Sequence, residues 1–244
     1  MHIMKNTAVA AMLPAFVLMP AFATSSGSAQ DVSPTMTQSC EMVAASPMAG
    51  MEGMTLGTPM AGDEHDMAGM TVEFDQLYID MMLPHHASII ALAQAAQDRL
   101  TDERLQVIAG NIITSQSAEN EELRGYREAW YGSAEPMPMH GAMMGMMTEM
   151  MPGMGDMESM HMQMDPRALV AAFCAEENAD LAFIELTIPH HEMAIRASEA
   201  ALDQATHDEL RGVAERVITD QQREIEELEQ IAADLAGEAT PASS

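Results

Sequence analysis

The chain has 244 residues, with 38 acidic side chains against 10 basic ones and a formal charge of −28. Nucleic acid and anionic lipid surfaces are bound through Lys and Arg, so this balance excludes both as partners and favours cations. The plain consequence of so acidic a surface is solubility. Methionine, present 28 times, is the compositional anomaly.

In chain order, residues 1–23 carry Lys5, an apolar run Ala8–Phe22 and the small-x-small pattern Ala21-Phe22-Ala23. They read as a secretory signal, too short and too proline-interrupted to span a bilayer. The mature protein is therefore expected to be periplasmic or secreted, without membrane insertion after cleavage. Residues 24–70 hold eight methionines among Gly, Ser, Pro and Ala, a composition that predicts disorder. Cys40 in this segment and Cys174 are the two cysteines. They can pair in an oxidising compartment, and their spacing supports no thiolate metal site.

Residues 71–132 predict a helical hairpin. Tyr78, Ile79, Met82, Ile89 and Leu92 recur at helical spacing, with Pro84 inside the run, either kinking one helix or starting another. Thr101-Asp102-Glu103 predicts the next cap, followed by the stripe Leu105, Ile108, Ile112, Leu123, Tyr126 and Trp130. Residues 133–165 form a second methionine-rich stretch, thirteen methionines with His140 and His161, broken by Gly and Pro. Those breakers predict a flexible linker rather than a long helix. Residues 166–237 predict a second hairpin, opened by Asp165-Pro166 and interrupted near Asn178, and residues 238–244 a tail.

The second hairpin repeats the first at an offset of 105 residues. Between 72–132 and 177–237, 20 of 61 positions are identical without a gap. The repeat carries its own chemistry. Pro84-His85-His86 followed by Gln116-x-x-Glu119 returns as Pro189-His190-His191 followed by Gln221-x-x-Glu224. The Gln and Glu interrupt otherwise apolar stripes, where an ionised carboxylate costs several kcal/mol unless a donor or cation compensates it. Two readings stand for the pairs. Glu can hold a core histidine in place, or His and Glu together can bind a metal, directly or with Glu orienting the imidazole. Asp75 and Asp180 read more readily as helix caps than as ligands.

Met81 and Met82 lie one turn before His85 and His86, so imidazole and thioether share a face suited to copper. The methionine-rich segments lack the Leu, Ile and Phe of a core. They read as flexible thioether arms for Cu(I) or Ag(I), with a plain spacer or an oxidant sink as the alternatives. No Glu-x-x-His pair occurs on the long helices, which argues against a di-iron oxidase. No nucleophile elbow, phosphate loop or dinucleotide fingerprint is present.

The combination Met81-Met82-Leu83-Pro84-His85-His86 with Gln116-x-x-Glu119, and its copy Ile188-Pro189-His190-His191 with Gln221-x-x-Glu224, resembles the family of unknown function numbered 305. The resemblance covers 72–132 and 177–237. It implies an all-α, ferritin-like four-helix bundle built from two duplicated hairpins, and a likeness to CopM-type periplasmic copper-binding proteins. Family positions that often carry helix-borne methionine hold Leu92, Ala197, Leu123 and Leu228 here, so linker thioethers are expected to complete the sites.

The sequence thus leads to an extracytoplasmic protein that sequesters or passes on copper, as Cu(I), Ag(I) or Cu(II). The expected metal residues are His85, His86, His190, His191, Met81, Met82, Met193, Glu119, Glu224, His140 and His161. No organic cofactor and no catalysis are expected. Metal ions are the primary partners, alongside a metal-delivery protein and self-association. The alternatives are a ferritin-like metal oxidase and an interaction module whose histidines are structural.

Overall fold

The computed structural model describes Cys40 and residues 72–138, 141–154 and 157–238. The expected signal, the remainder of the 24–70 segment, His140 and nearly all of the tail lie outside the described residues. Among the described residues the fold is all-helical, with no strand. The helices are α1 (Phe74–Ala96), α2 (Glu103–Tyr131), α3 (Gly141–Met150), α4 (Met157–Met164), α5 (Pro166–Ala175), α6 (Ala179–Gln204) and α7 (Asp208–Glu238).

Their ends follow from local chemistry. Asp102 caps α2 by accepting from the Arg104 amide. Asp165 caps α5 ahead of Pro166, accepting from the Arg167 and Ala168 amides, and Asn178 caps α6. Gly132 closes α2 at φ 78°, the left-handed conformation that glycine adopts without penalty. The prolines neither end nor split their helices: α1 runs through Pro84 and α6 through Pro189. Each proline lacks an N–H, so the carbonyl four residues earlier loses its usual partner just before the His pair. The interruption near Asn178 is real and separates α5 from α6, while α7 continues one residue past Gly237.

Helix α1 packs against α2, α4, α5 and α6, and α6 packs against α7, whereas α2 and α7 touch only sparingly. The two copies are locked reciprocally. Asp75 of the first accepts from the amides of Thr206 and His207, both at 2.9 Å, and from the Thr206 hydroxyl at 2.8 Å. Asp180 of the second accepts from the Thr101 amide at 2.8 Å and from the Thr101 hydroxyl. Each first helix thus caps the turn leading into the other copy's second helix, so these aspartates cap across the copies and not their own helices, which start at Glu73 and Asn178.

The methionine linker departs from the sequence expectation. It is not a flexible arm: α3 and α4 form within it, and Met143, Met144, Met147, Met151, Met154 and Met160 are buried in one apolar cluster with Met81, Met82 and Met193. Met143, Met147 and Met151 recur every four residues, so methionine supplies the stripe that leucine usually would, and it is a good helix former. Each such burial stabilises by roughly 1.5–3 kcal/mol. Pro152 and Gly153, the latter at φ 90°, fall between α3 and α4, while Gly145 is accommodated inside α3. A second cluster gathers Ile89, Leu92, Ile112, Phe173, Phe183 and Leu228. Cys40 and Cys174 are joined in a disulfide across 134 residues of sequence. Closing a loop of that length removes about 5 kcal/mol of unfolded-chain entropy on the chain-entropy account.

Candidate metal centre

The His pairs lie where the two apolar clusters meet, at mid-length of α1 and α6, and all four imidazoles are fully buried. The His85 and His190 rings lie 3.7 Å apart, centroid to centroid, inclined by 30°. Each ring is 6.3 Å from its chain neighbour, His86 or His191. Both copies therefore contribute to one centre.

Burial decides the charge of this centre. Desolvation first, then the neighbouring imidazoles, hold His85 and His190 well below the ordinary histidine range. Burial likewise lowers His86 to about 3, with the Asn120 side chain acting in the opposite direction and His191 adding to the depression. These three imidazoles are neutral at physiological pH and carry the lone pairs a metal requires.

The second copy fixes which nitrogen is free. His191 Nε2 lies 2.8 Å from Glu224 Oε2, which accepts a hydrogen bond from the Nε2–H. His190 Nε2 lies 3.1 Å from the His85 carbonyl, which can only accept, and 2.9 Å from the Ser88 hydroxyl. With Nε2 donating in both residues, Nδ1 is the lone-pair nitrogen of each, and both Nδ1 atoms are buried without a hydrogen-bond partner. The first copy is looser. His86 Nε2 lies 3.5 Å from Glu119 Oε2, the Asn120 side chain stands beside the same ring, and neither nitrogen of His85 or His86 makes a well-formed hydrogen bond. Six of the eight imidazole nitrogens are thus buried without a well-formed hydrogen bond to a protein group. A buried polar group left unsatisfied costs about 1–3 kcal/mol.

The two glutamates flank the centre, nearly buried themselves. Burial pushes the Glu119 carboxyl up to about 7; Arg216 opposes this, while Asp220, Glu224 and Glu122 add to it. One turn before the glutamates sit Gln116, with neither amide atom partnered, and Gln221, with its carbonyl oxygen unpartnered. Met81, Met82 and Met193 are fully buried in the apolar cluster that adjoins the centre. Among the described residues, no three His, Cys, Asp or Glu side chains form a ready coordination sphere. What the centre offers instead is neutral imidazole nitrogen in a thioether-rich apolar setting, a donor chemistry matched to a soft cation.

The structure therefore brings together His85, His86, His190, His191, Glu119 and Glu224. His161 is not part of the group: it is exposed on α4. Sequence reading missed Ser88, whose hydroxyl reaches His190 Nε2, the His85 carbonyl and the Gln163 carbonyl, tying α1 to α6 and to the end of α4. It also missed Asn120 beside His86. Both sit one helical turn from a motif residue, which was the available signal. No described helix is long and apolar enough to cross a membrane.

Comparison with known proteins finds solved structures of similar fold. The Cu(I)-bound form of CopM is 24% identical over 66% of this chain and 96% of that one, with a TM-score of 0.51. The Ag-bound form of CopM obtained by soaking is 26% identical, with the same shares covered and a TM-score of 0.50. A DUF305 protein from Streptomyces coelicolor, described as secreted, is 20% identical over 66% of this chain and 93% of that one, with a TM-score of 0.53. Among curated protein sequences, none matches this chain. The domain of unknown function DUF305 matches twice, over residues 19–126 and 75–232, the second match spanning both hairpins. The chain belongs to the DUF305 family.

Proposed function

We propose that this protein is an extracytoplasmic copper-binding protein that sequesters Cu(I), or the chemically similar Ag(I), in the shared histidine centre of a ferritin-like four-helix bundle formed by α1, α2, α6 and α7. The observation that carries the reading is the set of six buried imidazole nitrogens without a well-formed hydrogen bond to the protein. A purely structural core histidine would have its nitrogens satisfied, as the Nε2 atoms of His190 and His191 are. His85, His86, His190 and His191 are the ligands, with Met81, Met82 and Met193 the nearest thioether sources by sequence and burial. Glu224 orients His191, and Glu119 stands beside His86. A bound soft ion supplies the missing partner for the lone pairs and neutral donors lose no proton to it. The protein acts as a holder and carrier, not a catalyst, and works outside the cytoplasm. Copper and silver in the CopM structures support the choice of metal.

The test is a competitive Cu(I) titration against a chromophoric chelator, run on the mature protein, on a variant with all four histidines changed to Ala, and on one lacking residues 133–164. Loss of tight binding with the histidines is the expected result. Binding equally strong in the four-His variant would overturn the reading.

A further inference from the structure

The buried centre raises the question of how an ion reaches it. Helices α2 and α7 run antiparallel yet touch sparingly, and ion pairs clasp their seam at two places: Arg104 with Asp234 at 2.6 Å, and Arg216 with Glu122 at 2.5 Å. From Arg104 to Glu122 along α2 is eighteen residues, about 27 Å at helical rise. The two clasps differ in what surrounds them. Around Glu119 stand Arg216, Glu122, Asp220 and Glu224, each near enough for its charge to act on the Glu119 carboxyl. Glu119 and Glu224 side chains are 11% and 6% exposed, so they lie just beneath the surface and next to His86 and His191.

A polar lining joins this acidic mouth to the histidines. Gln116 is 2% exposed with both amide atoms unpartnered, and Gln221 and Asn120, 3% and 7% exposed, each have an unpartnered carbonyl oxygen. Gln116 shares a helix face with Glu119, and Gln221 shares one with Glu224. Amide oxygens left free in a buried seam are expensive for a packing contact and useful for a passing cation.

Resting on the copper reading of the centre, we infer that the α2–α7 seam between Glu119 and Glu224 is the path by which the cation enters and leaves, and that Arg216 is its gate. The guanidinium occupies the mouth as a resident cation, held by Glu122. An arriving ion must displace it before meeting Glu119, the free oxygens of Gln116, Asn120 and Gln221, and then the imidazoles. A gate changes the barrier in both directions and leaves the end states alone. That separates it from simple charge repulsion, which would change uptake and affinity together.

The test measures Cu(I) uptake from, and release to, a chromophoric chelator in stopped flow, with equilibrium affinity from the same titration. Arg216→Gln is expected to speed uptake and release alike, by about threefold or more, the scale of local electrostatic effects on rates, with affinity nearly unchanged. Arg216→Lys should stay close to the parent. Arg104→Gln, which opens the far clasp, should alter neither rate. Unchanged rates in Arg216→Gln overturn the gate and leave the copper centre standing. Faster uptake with a matching gain in affinity also overturns it, as plain repulsion. Absence of Cu(I) binding by the parent protein overturns the copper reading and the gate with it.

Discussion

The two copies of the helix pair face one centre but hold their histidines differently. In the second, Glu224 and the His85 carbonyl settle both Nε2 protons, leaving two defined Nδ1 lone pairs. In the first, Glu119 stands 3.5 Å from His86, and His85 is held by packing against His190 and by no well-formed hydrogen bond of its own. Ser88 of the first copy helps position His190 of the second, and Met193 occupies the equivalent place there. Duplication supplied matching histidines, and divergence left one half preorganised and the other adaptable. Preorganised donors lose less freedom on binding, so the second copy should dominate affinity.

The sharpest way to break this comparison is to remove one pair at a time. Changing His190 and His191 to Ala should weaken Cu(I) binding about 100-fold, and changing His85 and His86 about tenfold, within the range that ligand positioning commands. Equal losses, measured by chelator competition, would mean the copies are equivalent.

The glutamates sharpen it further. Glu224→Gln should weaken Cu(I) binding about tenfold by freeing the His191 ring, while Glu119→Gln should change affinity less. Glu119 instead governs pH dependence. Its carboxyl titrates near 7 when folded against about 4.5 when unfolded, so the folded state binds the extra proton between those values. Stability of the metal-free protein contributed by this group is full below 4.5 and is lost as pH rises through 7. Glu119→Gln should abolish that decline, a difference on the order of 2–3 kcal/mol at pH 9 in urea unfolding. The histidines work at the other end. His86, about 3 when folded against 6.5 unfolded, contributes stability above 6.5 that is lost as pH falls toward 3. A bound ion should move that loss to lower pH.

Ser88→Ala should have the smallest effect, about 1–2 kcal/mol in thermal or urea unfolding, because it strips a partner from His190 and from the Gln163 carbonyl. Unchanged stability would show that the crosslink between copies is idle.

Much of this was legible in the sequence. Helical spacing and the 105-residue offset gave both hairpins, and Gln116, Glu119, Gln221 and Glu224 stood out as polar residues on apolar stripes. The linker was not legible, because glycine and proline breakers suggested flexibility while its methionines in fact follow helical spacing and pack as a core. His161 was overread for the same reason: proximity to methionine in sequence says nothing about burial. The reciprocal caps made by Asp75 and Asp180 depend on contacts between copies, which local pattern cannot reveal. Nor can it reveal which imidazole nitrogen is free, since a carbonyl of the other copy decides that for His190.

The most direct test of the shared centre is a long-range proton–nitrogen correlation spectrum of the histidine rings, recorded as Ag(I) is added to the mature protein. The expected result is that the first equivalent shifts Nδ1 of His190 and His191, together with the His85 or His86 ring, and leaves both Nε2 protons in place. Shifts confined to the exposed His161 and the half-buried His207, with the four buried rings untouched, would contradict a metal centre in the core of this protein.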